Sequence, residues 1–363
     1  MLLLYLLSNC FLVNKKFFLP VFLLIQVVFL QIASHYPEYI ETYYSKGIYP
    51  FISGISRSLL GKIPFSVGDI LYGLLILYVL YWLKKNWNTS TKKGKFLAFL
   101  NLVSVIYFLF HLLWALNYYR EPLHQKMNLK TEYTSTELIE FTKKLITKSN
   151  QVHLLITNDS TKKVVVPYQT NQIYELSLNG YRNLSQSEIY FNYQKPSIKS
   201  SLISLPLTYM GFSGYLNPFT NEAQVNNLPP AYNLPATTCH EMAHQIGYAS
   251  ESECNFIGFL AASYNSDLYF KYSGYTYALR YCLGNIGAKD EKLLENLLKT
   301  INPGILKNYE ESENFYLSHK TFIDKGFEIF YDHFLKMNQQ KDGMESYSKF
   351  INLLINYYKA KQL

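Results

Sequence analysis

The sequence has little charge and little cysteine for its length. Charged residues make up 17% of its 363 residues and hydrophobic residues 49%, a balance that is apolar for a soluble protein but typical of a membrane protein with an attached domain. The four cysteines, Cys10, Cys239, Cys254 and Cys282, have no spacing that identifies a disulfide or a cysteine-based zinc site. We therefore interpret the cysteines as small buried residues.

Internal repeats, low-complexity runs and basic stripes with interleaved aromatic residues are also absent. The formal net charge of +8 therefore gives no reason to expect a nucleic acid as a partner. The N-terminus lacks the order of a signal peptide, because MLLLYLLSNCFLV precedes Lys15 and Lys16, whereas the basic residues of a signal peptide come first. We interpret residues 1–16 as a re-entrant extension or as a product of the assigned start codon.

Three long apolar runs lie in the first third of the chain, at residues 17–33, 67–83 and 96–116. Each is long enough to cross a bilayer, and the second carries one acid, Asp69, near its start. The alternative, three buried helices of a soluble domain, requires a core that the first 120 residues could hardly enclose. We therefore predict a membrane anchor over residues 1–118, with the lipid bilayer as a partner.

The lysines predict how this anchor is oriented. The link between the second and third runs contains no acid and five lysines, namely Lys84, Lys85, Lys92, Lys93 and Lys95. Because cytoplasmic loops are rich in lysine and arginine, this link belongs in the cytoplasm. Residues 119–363 are then expected to form a domain on the periplasmic side of the inner membrane.

This second part of the sequence reads as mostly helical. Thr134 and Glu137 form a capping-box pattern before a helix over about 136–149, and another helix is expected over 170–184. Residues 200–236 are rich in turn residues, and Pro235 is expected in the first turn of the next helix. Further helices are predicted at about 254–264, 267–286, 289–300, 305–320, 323–337 and 344–360.

Residues 240–244, HEMAH, match the H-E-x-x-H pattern. Positions i and i+4 lie on one side of a helix, so His240 and His244 can direct their imidazoles at one metal ion. Glu241 is offset around the helix and can act as general base on a water at the metal. The pattern also arises by chance, and Thr238 with Glu241 could instead form a capping box. Gly247 allows a sharp exit from the helix just beyond His244.

A catalytic zinc ion needs a third protein ligand, and Glu251 and Glu253 are the candidates. Ser250 stands where metzincins carry their third histidine, so the site is not of that type. Ser250 and Glu253 fit a capping box, which would leave Glu251 free to bind the metal. From the residues alone both glutamates remain candidates.

Two resemblances bear on this choice. The stretch ESECN resembles the E-x-x-A/C-D segment of membrane-embedded gluzincins, whose first glutamate is the third ligand; this implies Glu251 as ligand, with Asn255 in the place of their aspartate. Only six residues separate His244 from Glu251, far fewer than in those families. Successive blocks along the chain also resemble domain of unknown function 3810, a family of Bacteroidota membrane proteins. They are PFSVGDILYG, LLWALNYYREPL, GYLNPFTNEAQVN, HEMAHQIGYASESECNF and YDHFLKMNQQKDGMESYSKFINLLINYY.

The resemblance to zincins also implies a place for a substrate. In zincins a strand before the H-E-x-x-H helix forms the edge of a sheet, and an extended peptide pairs with it. The matching residues here are Glu222, Ala223, Gln224, Val225 and Asn226. A purely structural hairpin or loop is the alternative. An oxyanion-stabilising residue is also expected, but 34 tyrosines leave its identity open.

The fold class expected from these observations is a mainly α membrane protein, with three transmembrane helices followed by a mostly helical, zincin-like α+β domain with a small sheet. The function expected is that of a zinc-dependent metallopeptidase, with Zn2+ on His240, His244 and Glu251, Glu241 as general base, and a peptide or protein as substrate. The alternative is a membrane sensor or scaffold with a structural or inactive zinc site. A transporter ranks last, because Asp69 is a lone acid in three spans.

Overall fold

The structure, a computed structural model, describes residues 17–86, 91–340 and 347–363. The predicted N-terminal extension over residues 1–16, with its lysine pair, lies outside the described residues. The same is true of the first three residues of the last predicted helix, 344–346.

The membrane part, residues 17–86 and 91–118 of those described, contains four long α-helices: α1 (Phe18–Ala33), α2 (Tyr49–Leu60), α3 (Val67–Asn86) and α4 (Lys92–Leu113). A short helix, Pro37–Tyr39, and a π-helix, Ile40–Ile48, lie between α1 and α2. Within α3 and α4, Val67–Lys85 and Lys92–Leu113 are each long and apolar enough to cross a membrane, and only 11% of each is buried inside the protein. The first predicted span corresponds to α1, which meets this test only together with Pro37–Leu60, bent from it by 103°. The described residues therefore contain two or three candidate membrane spans.

The remaining described residues are mainly helical, as predicted. A capping box of Thr134 and Glu137 starts α5, which runs beyond the predicted end because its buried side continues through Val152 and His153. The α-helices of six or more residues are α5 (Ser135–Thr157), α6 (Thr170–Ser187), α7 (Ser204–Tyr209), α8 (Leu234–Gln245), α9 (Glu251–Tyr264), α10 (Leu268–Gly287), α11 (Glu291–Leu298), α12 (Pro303–His319), α13 (Phe322–Met337) and α14 (Tyr347–Tyr358). One shorter helix, Leu123–Lys126, precedes α5.

Helices α8 and α9 lie at the centre of this part. Met242, Ala243, Phe256 and Leu260 are fully buried where α6, α10 and α14 surround them. Burying each of the larger apolar side chains contributes roughly 1.5–3 kcal/mol to folding. The two helices that carry the candidate metal ligands are therefore held rigidly by the core.

A small sheet of three strands lies beside α8. Its strands are β1 (Ile198–Ser200), β2 (Gly214–Leu216) and β3 (Ala223–Val225), in the order β1-β3-β2. Strand β3 pairs with β1 in parallel and with β2 antiparallel.

The prediction of a peptide-binding edge strand at Glu222, Ala223, Gln224, Val225 and Asn226 is wrong. Strand β3 is the central strand, with both of its sides hydrogen-bonded to neighbours, and all five residues are buried. A peptide cannot add to a strand whose backbone groups are already paired.

Two buried carboxylates tie the N-terminal end of α3 to the sheet region. Glu222 Oε2 accepts a hydrogen bond of 2.6 Å from the backbone N–H of Gly68, in the first turn of α3. Asp69 Oδ2 accepts from the Ser201 hydroxyl at 2.9 Å and from the backbone N–H of Leu202 at 2.7 Å. Negative charge at a helix N-terminus is stabilising, so both acids serve as anchors. They join residues on both sides of the predicted boundary at residue 118.

Candidate metal centre

Helix α8 presents the two histidines of the motif on one side. It begins at Leu234, with Pro235 in its first turn as predicted, and the rings of His240 and His244 lie 4.9 Å apart. Thr238 is therefore an interior residue of the helix, which excludes the capping-box interpretation of Thr238 and Glu241. Gly247 has a φ of +88°, so the sharp exit predicted there is confirmed.

Glu251, the first residue of α9, brings its carboxylate to both histidines. Its Oε2 lies 3.3 Å from His240 Nε2, and its Oε1 lies 3.6 Å from His244 Nε2. One ligand atom from each of the three residues lies within 4.8 Å of the others. Two ligand atoms that are each about 2 Å from a tetrahedral ion lie about 3.3 Å apart. The group therefore could hold a metal ion.

Glu253, the other candidate ligand, points elsewhere. Its Oε1 accepts a 2.6 Å hydrogen bond from the backbone N–H of Leu123. The expected capping box of Ser250 and Glu253 is not formed, because the Ser250 side chain makes no capping hydrogen bond to α9. The structure brings Glu251, and not Glu253, to the histidines.

Neighbouring groups orient both imidazoles. His244 Nδ1 lies 2.8 Å from the carbonyl oxygen of Tyr248, which fits a protonated Nδ1 and leaves the Nε2 lone pair for a metal. Burial lowers the pKa of His244 to about 4, so this ring is neutral at neutral pH. The Asn255 side chain hydrogen-bonds to His240, and the Tyr277 hydroxyl donates to Asn255 Oδ1 at 2.6 Å.

Tyr331 on α13 completes the surroundings of Glu251. Its hydroxyl donates a 2.7 Å hydrogen bond to Glu251 Oε1. Burial acts to raise the pKa of Glu251, but the hydrogen bond from His240 and the charges of both histidines lower it to about 2. The carboxylate is thus charged at neutral pH, as a metal ligand must be. No feature of the sequence distinguishes Tyr331 from the other tyrosines. Tyr272, for example, lies in the core and donates to Asn308.

Glu241 lies beside this group but does not join it. The residue is 4% exposed, and its Oε2 has no hydrogen-bond partner among the described residues. Burial raises the pKa of Glu241 to about 8, although the nearby His240 lowers it and Glu251 raises it further. A buried carboxylate oxygen without a partner is costly, and no described group of the chain satisfies this one.

Gly214 in strand β2 makes room for this carboxylate. A Cβ atom at this position would lie 2.6 Å from Glu241 Oε1 and 2.7 Å from the carbonyl oxygen of Gln224. A residue with a side chain cannot occupy this position without moving Glu241. Strand β2, which pairs only with β3 among the described strands, therefore runs directly beside the motif.

The membrane part forms one wall of the site. Trp114, the residue that follows α4, donates from Nε1 to the carbonyl oxygen of His244 at 3.3 Å, and its ring lies 6.0 Å from the His244 ring. The Tyr49 hydroxyl donates to the carbonyl oxygen of Gln245 at 2.9 Å. Arg120 donates to the carbonyl oxygen of Gly247 at 2.6 Å and pairs with Glu41. The three bonds to the carbonyl oxygens of His244, Gln245 and Gly247 join residues more than a hundred positions apart, and no sequence pattern marked them.

A family model described as "Protein of unknown function (DUF3810)" matches residues 44–355. The chain belongs to this family, which confirms the family resemblance seen in the sequence blocks. The match includes α2, α3, α4 and every residue of the candidate metal centre, whereas α1 lies before it. No curated protein and no solved structure matches the chain.

Proposed function

We propose that this protein is a membrane-anchored, zinc-dependent metallopeptidase. The observation that carries the proposal is the meeting of His240, His244 and Glu251 beside the buried, unpaired carboxylate of Glu241. A structural metal site has no use for a second carboxylate that is not a ligand, whereas a hydrolase needs a base there.

Zinc is the metal that best fits the donor set. Two imidazoles and one carboxylate, with a further position left for water, are typical of catalytic zinc. The neutral His244 and the charged Glu251 are in the protonation states that binding requires. When bound, zinc would polarise a carbonyl oxygen and lower the pKa of a water on it to about 7.

The chain's own residues would handle the protons. Glu241 accepts the proton of the water that attacks the peptide carbonyl carbon, and then delivers it to the amine nitrogen as the C–N bond breaks. Its raised pKa, about 8, favours a group that exchanges a proton near neutral pH. Tyr331 donates its one O–H to Glu251 and so orients this proposed ligand.

Strand β2 replaces β3 as the strand proposed to bind a peptide substrate. It is at the edge of the sheet among the described strands, and Gly214 places it against Glu241. An extended peptide that adds to β2 would bring its backbone close to the general base.

The proposed setting is the inner membrane, with three spans and the metal centre on the periplasmic side. The outer ends of α3 and α4 both meet the part of the chain that carries the site, through Asp69 and Trp114. The lysine-rich link between α3 and α4 then lies at the opposite, cytoplasmic surface, in agreement with the charge rule.

Metal analysis and peptide cleavage test the proposal together. Full-length protein in detergent is required, because Tyr49 and Trp114 contact α8, the helix that carries the two histidines. We expect one zinc per chain in wild type, Glu253→Ala and Glu241→Gln, and loss of zinc in His244→Ala and Glu251→Ala. The wild type should cleave a peptide library, and Glu241→Gln should not. The chelator 1,10-phenanthroline should abolish cleavage by the wild type until zinc is restored.

Two results would count against the proposal. If Glu241→Gln loses both its zinc and its cleavage activity, Glu241 is a ligand or a folding residue and not the base. Zinc retained by the wild type, with no cleavage of any peptide, would favour the sensor or scaffold with a structural zinc site.

A further inference from the structure

Helix α13 contacts the rest of the protein with one side. Asp324 and Leu335 are buried on this side, and Tyr331 reaches Glu251 from it. These positions are seven and four residues apart, which places them on a common side of the helix.

A second side of α13 is apolar and exposed. Phe322, Ile329, Phe330 and Met337 are spaced so that they share this side. Their exposed fractions are 87%, 54%, 62% and 80%, which are high for large apolar side chains. No described part of the chain covers this apolar side.

A third side of α13 is charged. It carries Lys325, Glu328, Asp332 and Lys336, the last two joined by an ion pair of 2.7 Å. An exposed apolar side directly beside a charged side is typical of a helix that lies in a membrane surface.

Helix α13 lies beside the end of α4, and this position indicates what lies against its apolar side. Phe334, four residues after Phe330 and three before Met337, lies on the same flank, and its ring is 6.2 Å from the ring of Phe110. Phe110 is on α4, one turn before that helix ends at Leu113. The exposed side of α13 therefore continues the lipid-facing surface of a candidate span, at the end nearest the metal centre.

We propose that α13 lies in the bilayer surface on the side of the metal centre, with Phe322, Ile329, Phe330 and Met337 among the lipid acyl chains. The occupant of the apolar side is lipid, because that side is continuous with α4. A second copy of the chain would have to displace lipid from the same surface.

The proposal has a consequence for substrates, and this consequence rests on the proposed function. The bilayer holds one side of α13 while another side presents Tyr331 to Glu251. Helix α13, which contacts the metal centre through Tyr331, thus lies in the membrane surface. The substrate class that fits is a polypeptide cleaved close to its own membrane attachment.

Depth-dependent fluorescence quenching tests the position of α13. The full-length protein carries Cys10→Ser, while Cys239, Cys254 and Cys282 are fully buried and escape labelling. An NBD label is placed on Phe330→Cys or, as a matched control on the charged side, on Glu328→Cys, and each is reconstituted in phosphatidylcholine nanodiscs. Lipids with a doxyl group at acyl carbon 5 should roughly halve the emission at position 330 and leave position 328 nearly unchanged, since an interfacial helix sits about 5–10 Å deep.

A second pair, Phe322→Cys and Lys325→Cys, repeats the comparison one or more turns away. Equal quenching within both pairs, or no quenching in either, would overturn the proposal. So would efficient disulfide cross-linking between two copies at Phe330→Cys in nanodiscs, because a second copy would then occupy the apolar side. None of these measurements depends on zinc or on cleavage, so the outcome is independent of the proposed function.

Discussion

The Tyr331 hydroxyl and the Glu251 carboxylate are joined by a hydrogen bond of 2.7 Å, although 80 positions separate the two residues in the chain. The bond reaches the carboxylate oxygen that also faces His244. A residue behind a candidate ligand in this way sets the direction of the ligand's remaining lone pairs.

Tyr331→Phe removes this bond and keeps the ring. We expect the affinity for zinc, or the cleavage rate, to fall about 10- to 100-fold, as is usual when the support of a metal ligand is lost. Competition with a fluorescent chelator measures the affinity. Tyr316→Phe is the control, because Tyr316 is on the neighbouring helix α12 and its hydroxyl makes only a 3.4 Å contact with Asp324. Equal behaviour of the two variants would contradict the role given to Tyr331.

Gly214→Ala tests the contact between strand β2 and Glu241, the proposed general base. The added methyl group would lie 2.6 Å from Glu241 Oε1, so the carboxylate must move. We expect cleavage to fall on the order of a hundredfold, the cost of displacing a reacting group by about an ångström. Zinc content should stay at the wild-type level. Gly284→Ala is the matched control, since a Cβ there meets nothing within 4 Å.

Glu222→Gln tests the anchor between the sheet and α3. Loss of the negative charge that receives the Gly68 N–H should destabilise the protein by about 1–2 kcal/mol, the upper range for a charge at a helix N-terminus. Thermal unfolding in detergent should show a lower midpoint. Glu291→Gln removes an exposed acid from the first turn of α11 and should leave the midpoint almost unchanged. A peptide-binding role for Glu222 would instead predict normal stability with altered cleavage.

Tyr49→Phe tests the contact between the membrane part and the motif helix. The substitution leaves the carbonyl oxygen of Gln245 and the side-chain amide of Asn221 without their partner in a buried place. The expected cost is about 1–3 kcal/mol of stability. Tyr43→Phe, at an exposed tyrosine of the same segment, should be neutral in the same unfolding measurement. An unchanged midpoint for Tyr49→Phe would show that this contact is dispensable.

The parts of the site that were predictable from the sequence are local. His240, Glu241, His244 and Glu251 lie within twelve residues, so helical geometry and one glycine turn are enough to bring them together. The two longest apolar helices, α3 and α4, and most other helices were predictable for the same reason, since hydrophobic periodicity and length are properties of a short window.

The parts that were missed depend on distant pairing. Strand β3 has three residues, and nothing in so short a segment shows that β1 and β2 flank it on both sides. Glu253 was expected to cap its own helix, but it receives the N–H of Leu123, 130 positions away. Tyr331 and Trp114 likewise reach the site through tertiary packing, which leaves no periodic trace in the sequence.

The Tyr331–Glu251 bond can form only late in the synthesis of the chain. Synthesis proceeds from the N-terminus, so Tyr49 and Trp114 are in place before the motif helix emerges, while Tyr331 arrives 80 residues after Glu251. A nascent chain that stops short of α13 has all three metal-binding side chains but lacks the hydroxyl that steadies the third. The contacts around Glu251 are thus complete only after α13 has been translated.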